Sequence, residues 1–295
     1  MKLTHVKGNT YVLEAWELIP LYKTDDTHCI LLDSGLKAER EELEASLAEY
    51  GLTPIGILSS HAHLDHAVNN RYFQEKYNIP VALPAGEVGM CTTLLTLKCY
   101  YFMHSTEFVR SIAPDMLQKD CLSVGPEDGP FEIAGTTFQI IHTPGHSPDH
   151  IAVITPDNVC YTGDAMVSFR GLKLPYTLDY GMALESAEKL RELDCDTYIL
   201  AHREVVEDFA PVADRYRELI LSVVEKVAAT ITHPMTEDQV CAALCEELTL
   251  LSSKPRRAMG TARNVHNLLE YLMERGDVTM ISQRGVRYYI SARDL

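Results

Sequence analysis

The chain contains at positions 60–66 the stretch Ser60-His61-Ala62-His63-Leu64-Asp65-His66, which decides how the rest of the sequence is interpreted. Four of its side chains can bind a metal ion, and they fall within six positions, directly after the apolar run at 55–58. A short apolar run followed by a polar loop is typical of a buried strand. The pattern therefore predicts a strand whose C-terminal end carries metal ligands.

Three later side chains follow predicted strands in the same way. His146 ends a Thr-Pro-Gly-His block after the apolar run that ends at Ile141, and Asp164 ends a Thr-Gly-Asp block. His202 follows the apolar run 199–201. Two of these candidates stand directly after a glycine, which allows the backbone to approach closely. Strand–helix–strand alternation around them predicts a layered α/β architecture.

The four blocks, taken in this order, resemble the ligand set of the metallo-β-lactamase-fold hydrolase superfamily over roughly residues 5–230. The resemblance implies an αββα sandwich that binds two metal ions. It assigns the first ion to His61, His63 and His146, the second ion to Asp65, His66 and His202, and a bridging role to Asp164. Imidazoles and carboxylates suit zinc, which is the first choice. Iron and manganese stay open because they accept the same nitrogen and oxygen ligands.

Two metal ions about 3.5–4 Å apart make hydroxide available from water at neutral pH. The resemblance therefore implies a binuclear metal-dependent hydrolase in which a metal-bridging hydroxide attacks a carbonyl or phosphorus centre. In this scheme Asp65 is also the catalytic residue that accepts a proton from the nucleophilic water. The sequence departs from the family pattern at Val68, which stands where a glycine is usual, and Asn69 and Asn70 follow it.

The formal net charge of −16 is distributed unevenly along the 295 residues. Residues 234–295 are neutral, with 8 basic and 8 acidic residues, whereas residues 1–233 hold 18 basic and 34 acidic residues. An acidic surface repels polyanions, so a broad nucleic-acid groove on the first 233 residues is disfavoured.

No apolar run approaches the roughly 20 residues that span a bilayer, and the first eight residues lack the apolar core of a secretory signal. The eight cysteines form no C-x-x-C pair, and several of them, such as Cys160, lie in apolar surroundings. These features predict a reduced, cytoplasmic protein with no membrane partner. The sequence leaves a homo-oligomer open.

Two regions are predicted from the pattern of elements. Residues 1–233 form the catalytic domain, with a helical, aromatic-rich insertion at 85–120 that is either core packing or a wall of the substrate pocket. A break at 232–234 precedes two helices and a hairpin, so residues 234–295 are predicted to be a winged-helix-like module. Thr236 and Gln239 predict a capping box at the start of its first helix.

Two function classes stay open within the resemblance. Asp164 stands where many antibiotic-degrading members have Cys, and His63 stands where di-iron flavoproteins have Glu, so both branches are disfavoured. A hydrolase of small-molecule thioesters or esters fits the acidic domain and the aromatic insertion. The alternative is an endoribonuclease or phosphodiesterase of the lactamase-like winged-helix group. Its phosphate contacts would come from Lys254, Arg256, Arg257, Arg263, Arg284 and Arg287.

Overall fold

The computed structural model describes residues 1–167, 171–202 and 204–292. The strands of these residues are β1 (Lys2–Lys7), β2 (Thr10–Glu14), β3 (Leu18–Lys23), β4 (His28–Leu32), β5 (Thr53–Leu58), β6 (Val81–Pro84), β7 (Leu122–Val124), β8 (Gly129–Ile133), β9 (Thr136–His142), β10 (Ile151–Ile154), β11 (Val159–Tyr161), β12 (Thr197–Leu200), β13 (Glu204–Val206), β14 (Val278–Gln283) and β15 (Val286–Ser291). The helices are α1 (Arg40–Glu49), α2 (Leu64–Ala67), α3 (Asn70–Tyr77), α4 (Ala85–Met90), α5 (Leu94–Tyr100), α6 (Thr106–Met116), α7 (Tyr180–Arg191), α8 (Ala210–Thr230), α9 (Glu237–Glu247) and α10 (Pro255–Glu274), and a 3-10 turn at Lys37–Glu39 precedes α1.

Two large sheets form the centre of the molecule. The first has the order β1-β2-β3-β4-β5-β6-β7, and the second has the order β13-β12-β11-β10-β9-β8. In the first sheet β4, β5, β6 and β7 are parallel neighbours. In the second, β11 and β12 are parallel. Loops that follow parallel strands leave the sheet at one edge, and those after β5 and β11 carry predicted metal ligands.

The layers are held together by buried apolar side chains on both faces of each sheet. Leu32, Leu58, Phe138, Val153 and Ile199 belong to one cluster that fills the space between the two sheets. A second cluster lies beneath α1 and α3 on the outer face of the first sheet. A third covers the outer face of the second sheet beneath α7 and α8. This helix–sheet–sheet–helix order is the predicted αββα sandwich.

The C-terminal helices pack on α8 and α7, and the β14–β15 hairpin follows them. The predicted capping box is present: Thr236 Oγ1 accepts the Gln239 N–H, and the Gln239 side chain accepts the Thr236 N–H. The division predicted at residue 233 falls between α8 and α9, and one apolar cluster runs across it. A winged-helix identity for this region stays a prediction. Among the described residues, no helix is long and apolar enough to cross a membrane.

Some elements differ from the sequence-based expectations. The sequence after the histidine motif predicts one helix over 67–77, whereas the structure has two helices, α2 and α3, interrupted at Val68 and Asn69. Val68 has φ −64° and ψ −23°, so its β-branched side chain adopts ordinary right-handed backbone and no glycine is required. The segment between β6 and β7 consists of α4, α5 and α6.

Candidate metal centre

Three imidazoles converge at the C-terminal end of β5. His61 Nε2 lies 2.8 Å from His63 Nδ1, and His146 Nε2 lies 2.9 Å from the same atom. His61 and His63 come from the loop after β5, whereas His146 comes from the loop after β9. The three ring nitrogens are close enough to bind one ion together. This is the set assigned from the sequence to the first metal ion.

The protonation of these imidazoles suits metal binding. Burial and the neighbouring histidines hold the pKa of His61 and of His63 well below the usual range. Burial also lowers the pKa of His146, against the opposing effect of the Asp164 carboxylate. At neutral pH the three rings are therefore uncharged. A neutral imidazole has the free lone pair that a metal ion requires.

Asp164 lies between this group and a second one. Its Oδ2 atom is 3.4 Å from His146 Nε2, 3.5 Å from His66 Nε2 and 3.3 Å from His202 Nε2. His66, Asp65 and Glu17 form another group whose ligand atoms lie within 4.8 Å of one another. The described structure therefore brings all seven predicted ligands around one centre. Their division between two ions stays a prediction.

Three of the candidate ligand atoms lack a hydrogen-bond partner among the described residues. Asp164 Oδ1, His66 Nε2 and Glu17 Oε1 are buried and make no hydrogen bond to any described residue. Buried charged groups without such partners are expected to coordinate metals. Five imidazoles and several carboxylates offer nitrogen and oxygen donors of the kind that zinc, iron and manganese accept. The residues present therefore fit divalent metal ions.

The profile of the Metallo-beta-lactamase superfamily matches residues 4–202, about two thirds of the chain. The chain belongs to the metallo-β-lactamase superfamily. A metallo-β-lactamase family protein from Thermus thermophilus superposes with a TM-score of 0.73 at 23% identity, covering 93% of each chain. At that identity the superposition shows the shared fold.

Two curated relatives share part of their length with this chain. The probable metallo-hydrolase YqgX of Bacillus subtilis is 29% identical over 142 residues, which are 48% of this chain and 62% of that protein. The atrochrysone carboxyl ACP thioesterase of Aspergillus chevalieri is 26% identical over 193 residues, 64% of this chain and 52% of that protein. The chain thus spans between one half and two thirds of these relatives. They support a metal-dependent hydrolase.

Asp33 supports the metal centre of this superfamily member from the loop after β4. One carboxylate oxygen accepts the Ser60 N–H at 2.7 Å. The other is 2.8 Å from His66 Nδ1, and it accepts the hydroxyls of Ser60 at 2.7 Å and Tyr161 at 2.5 Å. Because Nδ1 of His66 is held in this way, Nε2 faces the other ligands. Such outer partners orient a histidine ligand and fix its tautomer.

His150 and Gly163 fix the backbone beside Asp164. The Asp164 N–H donates to His150 Nε2 at 3.1 Å, and His150 Nδ1 is 2.8 Å from Thr143 Oγ1. Gly163 has φ +50°, and a Cβ there would lie 2.8 Å from both His150 Nε2 and Ser60 Cβ. The glycine of the Thr-Gly-Asp block is therefore required by both conformation and space. His150 therefore acts on the backbone of a predicted ligand.

Asn69 fastens the loop that carries Asp33. Its side-chain amide donates to the carbonyls of Ser34, Gly35 and Leu36 at 2.8, 3.1 and 3.0 Å. Its own oxygen accepts the Arg40 Nε–H at 2.8 Å. The unusual residues after the histidine motif thus tie the start of α3 to the loop after β4.

Glu87 of α4 holds two ligand loops together. It is fully buried, and its carboxylate accepts the backbone N–H of Ala62 at 3.2 Å, the Ser147 hydroxyl at 2.7 Å and the Asp149 N–H at 3.2 Å. Burial raises its pKa, while these donors oppose the shift. Sequence reasoning missed both Glu87 and Glu17, because neither stands in a metal-binding motif.

A cavity of about 340 Å³ opens beside the metal centre. His63, Leu64 and Asp65 line one side, and the loop residue Tyr176 lies close to them. The insertion contributes Tyr101, Met103 and His104, and α10 contributes Arg256, Met259, Gly260 and Arg263. Leu97 and Tyr100 of the insertion belong to a buried apolar cluster, so the insertion serves both as core and as pocket wall. Arg284 and Arg287 of the C-terminal hairpin are outside this lining.

Proposed function

We propose that the chain is a two-metal hydrolase of small-molecule thioesters or closely related esters. The observation that carries the proposal is the convergence of seven ligand side chains beside an aromatic and apolar pocket. The proposed ligands are His61, His63 and His146 for one ion and Asp65, His66 and His202 for the other, with Asp164 between the two ions. Zinc is the proposed metal, with iron or manganese as alternatives.

When bound, two divalent ions would supply hydroxide at neutral pH and polarise the carbonyl of the substrate. The protein contributes the orientation of their ligands through Asp33, His150 and Glu87. We assign Asp65 to take up the proton that water releases, because its carboxylate lines the pocket beside the metal centre. The insertion and α10 form walls of the pocket in which the reacting bond would lie.

Three features support a thioester or ester as the substrate. The cavity is of the size that holds a small molecule. Its apolar lining, which includes Leu36, Met103 and Met259, suits an acyl chain or a pantetheine-like arm. One curated relative is named as a thioesterase that acts on an acyl carrier protein substrate. The acidic first 233 residues disfavour an extended polyanion.

The test is a panel of thioesters, lactones, phosphodiesters and single-stranded RNA offered to the metal-replete protein, with bound metal identified by elemental analysis. Thioester or ester turnover is expected, and it should disappear with metal retention in His61→Ala and Asp164→Ala. His28→Ala, which alters a surface contact with Asp25, is the matched control. Turnover retained in a metal-depleted His61→Ala/Asp164→Ala protein would contradict a metal mechanism. Cleavage of RNA that weakens with salt, together with no thioester turnover, would favour the nuclease alternative.

A further inference from the structure

Two arginines of α10 face the pocket of the metal centre. Arg256 and Arg263 line the cavity together with Met259 and Gly260 between them. Residues spaced by three, four and seven positions lie on one face of a helix. The opposite side of the same cavity is formed by His63 and the other residues of the metal motif. A helix from the C-terminal region therefore turns one face toward the metal centre.

The two guanidinium groups are held against aromatic rings. Arg256 Cζ lies 4.2 Å from the centroid of the Phe108 ring. Arg263 Cζ lies 4.8 Å from the centroid of Tyr176 and 5.2 Å from that of Phe102. A ring face accepts no conventional hydrogen bond from a guanidinium lying over it, so the N–H donors stay available for another partner. The rings thus position the arginines without satisfying their hydrogen bonds.

Neither arginine has an anionic partner in the described part of the chain. No carboxylate oxygen of these residues lies within 4.0 Å of either guanidinium, and the buried Arg263 Nε makes no hydrogen bond. The chain has 42 acidic and 26 basic residues, so acidic partners are plentiful elsewhere. Arg40, Arg191 and Arg215, by contrast, all form ion pairs. Two unpaired cations at one pocket point to a ligand that supplies the negative charge.

We propose that Arg256 and Arg263 form an anion subsite that binds a carboxylate or phosphate on the part of the substrate remote from the scissile acyl bond. The inference rests on the proposed function and narrows its substrate class to acidic thioesters or esters. The reacting carbonyl would lie at the metal centre, and the anionic end would lie against α10. Stacked arginines with free N–H edges suit both carboxylate and phosphate, because each presents oxygen atoms in the matching geometry.

The test uses pairs of thioesters that differ only in the anionic group. S-acetyl-N-acetylcysteine and its methyl ester test a carboxylate, and S-acetyl-4′-phosphopantetheine and S-acetylpantetheine test a phosphate. The charged member of at least one pair should have the higher kcat/KM. Arg263→Gln should lower kcat/KM for that member by about 10- to 100-fold, mainly through KM, because a charge-assisted hydrogen bond is lost. The uncharged member should change by no more than about twofold under the same reasoning.

Arg275→Gln is the matched control, since Arg275 ends the same helix but pairs with Asp277 outside the pocket. Equal turnover of the charged and uncharged members in both pairs would overturn the subsite. An Arg263→Gln effect of the same size on both members would also overturn it. Arg256→Gln provides a second variant should Arg263→Gln fail to fold.

Binding separates failure of the subsite from failure of the proposed function. S-methyl-4′-phosphopantetheine and S-methylpantetheine are thioethers that cannot be hydrolysed, and titration calorimetry measures their binding directly. Tighter binding of the phosphorylated compound that is lost in Arg263→Gln supports the subsite even if no thioester is turned over. Indistinguishable binding of the two thioethers, with no charge preference in the turnover assays, overturns the subsite and leaves thioester hydrolysis standing.

Glu17 is a buried acidic residue in the turn between β2 and β3. Its side chain is only 3% exposed, and its Oε1 atom has no hydrogen-bond partner among the described residues. Its Oε2 atom lies 3.1 Å from His66 Nε2. No described lysine or arginine pairs with it. An imidazole that binds a metal ion is neutral, so with His66 as a ligand this buried carboxylate needs the charge of that ion.

The geometry points to Glu17 as a further ligand of the ion assigned to His66. His66 Nε2 lies 3.1 Å from Glu17 Oε2 and 3.5 Å from Asp164 Oδ2, yet it makes no hydrogen bond to a described residue. Neighbouring ligands of a tetrahedral ion with bonds of about 2.0–2.2 Å lie roughly 3.3–3.6 Å apart. The distance to Asp164 Oδ2 falls within this range and the distance to Glu17 Oε2 falls just below it, so the three atoms are close enough to bind one ion.

The added carboxylate makes the two metal positions chemically different. The position of His66 would have the carboxylates Glu17, Asp65 and Asp164 with two imidazoles, whereas the other position is built mainly from imidazoles. Carboxylate-rich sites suit manganese better than imidazole-rich sites do. We therefore expect a harder ion at the Glu17 position than at the His61 position.

Elemental analysis after equilibration with buffered Zn²⁺ and Mn²⁺ tests this ligand without any substrate. Wild-type protein should retain two equivalents of metal. Glu17→Gln should retain one, because its affinity for manganese at the His66 position should fall by about 10-fold or more. Glu14→Gln, whose carboxylate pairs with Lys2 on the same hairpin, is the control. Two equivalents with unchanged manganese affinity in Glu17→Gln would overturn the assignment. Retention of the first equivalent and an unchanged circular dichroism spectrum show that the variant is folded.

Discussion

At the scale of single residues, Asp33 connects three parts of the chain at the metal centre. Its carboxylate contacts the backbone and hydroxyl of Ser60, the ring of His66 and the hydroxyl of Tyr161. Its backbone has φ +69°, a conformation that Asp and Asn tolerate better than most residues. Substitution by Asn therefore changes the charge and the hydrogen bonding with little change in backbone strain.

Asp33→Asn is expected to lower the affinity for metal at the His66 position by about 10- to 100-fold, because the partner of His66 Nδ1 loses its charge. Competition with a chelator of known affinity, followed by elemental analysis, measures the change. Asp157→Asn is the control, since Asp157 also accepts a backbone N–H and a hydroxyl but does so in the β10–β11 loop, from Asn9 and Thr10. Equal metal affinity in wild type and Asp33→Asn would contradict the support assigned to this carboxylate.

The sequence predicted seven site residues because each follows an apolar strand in a recognisable block. Glu17 lacks such a block: its neighbours Trp16 and Leu18 resemble an ordinary hairpin turn. Its contact with His66 depends on the register of β2 and β3 and on the packing of their turn against the other sheet, where the Leu18 N–H donates to the Ala201 carbonyl at 2.7 Å. Such a contact, 49 positions apart, has no local sequence signal.

At the scale of elements, the insertion is fastened to the sandwich by charge as well as by apolar contact. Asp115 near the end of α6 pairs with Lys37 Nζ at 2.6 Å and Arg40 Nη2 at 3.3 Å. Its side chain is only 18% exposed. Burial favours the neutral carboxyl, but Lys37 and Arg40 outweigh that effect and hold the pKa of Asp115 below its usual range.

The lowered pKa gives the contribution of Asp115 a defined pH dependence. Above the unfolded-state pKa of about 3.9 the stabilisation is fully present, and it is lost as pH falls through the lower folded-state pKa. Asp115→Asn should therefore cost about 0.5–1 kcal/mol of unfolding free energy above pH 5. The difference from wild type should narrow as pH falls below about 4.

Urea unfolding of the metal-free proteins at pH 7 and at pH 3.5 measures both values. Glu107→Gln serves as control, because Glu107 is an exposed carboxylate of α6 without an ion-pair partner among the described residues. A cost for Asp115→Asn that is independent of pH would contradict an ion-pair origin.

Sequence reasoning missed β3 and the first turns of α10, because neither has a local signal. β3 has a proline at position 20, which pairs with Val12 of β2, and no alternation of polar residues marks it as a strand. α10 begins at Pro255, whereas the apolar periodicity becomes clear only near residue 262. Its first turns face the pocket and solvent rather than the core, so their sequence carries polar residues instead of a buried stripe.

At the scale of the whole molecule, one apolar cluster joins the sandwich to the C-terminal region. Val223 and Val227 of α8 share it with Leu268 and Leu272 of α10 and with Tyr289 of β15. All five side chains are at most 2% exposed. Elements that share one close-packed core are expected to lose that core together. The boundary predicted at residue 233 therefore separates two stretches of sequence, but the apolar core is continuous across it.

The full chain is expected to unfold in a single calorimetric transition, and a chain truncated after His233 is expected to aggregate or to bind a hydrophobic dye. The physical reason is that truncation exposes the apolar face of α8 to water. Scanning calorimetry compares the calorimetric and van't Hoff enthalpies of the intact chain. Two separate transitions, or a truncated chain that melts cooperatively, would show that the regions are independent.

Gly260, on the pocket face of α10, has a consequence for engineering. A Cβ at this position would meet no heavy atom of the described residues within 4 Å. Glycine inside a helix costs roughly 0.5–1 kcal/mol relative to alanine, so Gly260→Ala should raise the thermal midpoint. Each larger side chain, in the series Ala, Val and Leu, would occupy more of the cavity. When thioesters of increasing length are assayed, the longest substrate hydrolysed should become shorter along this series. The glycine thus makes the helix less stable but leaves the pocket deep enough for a longer substrate.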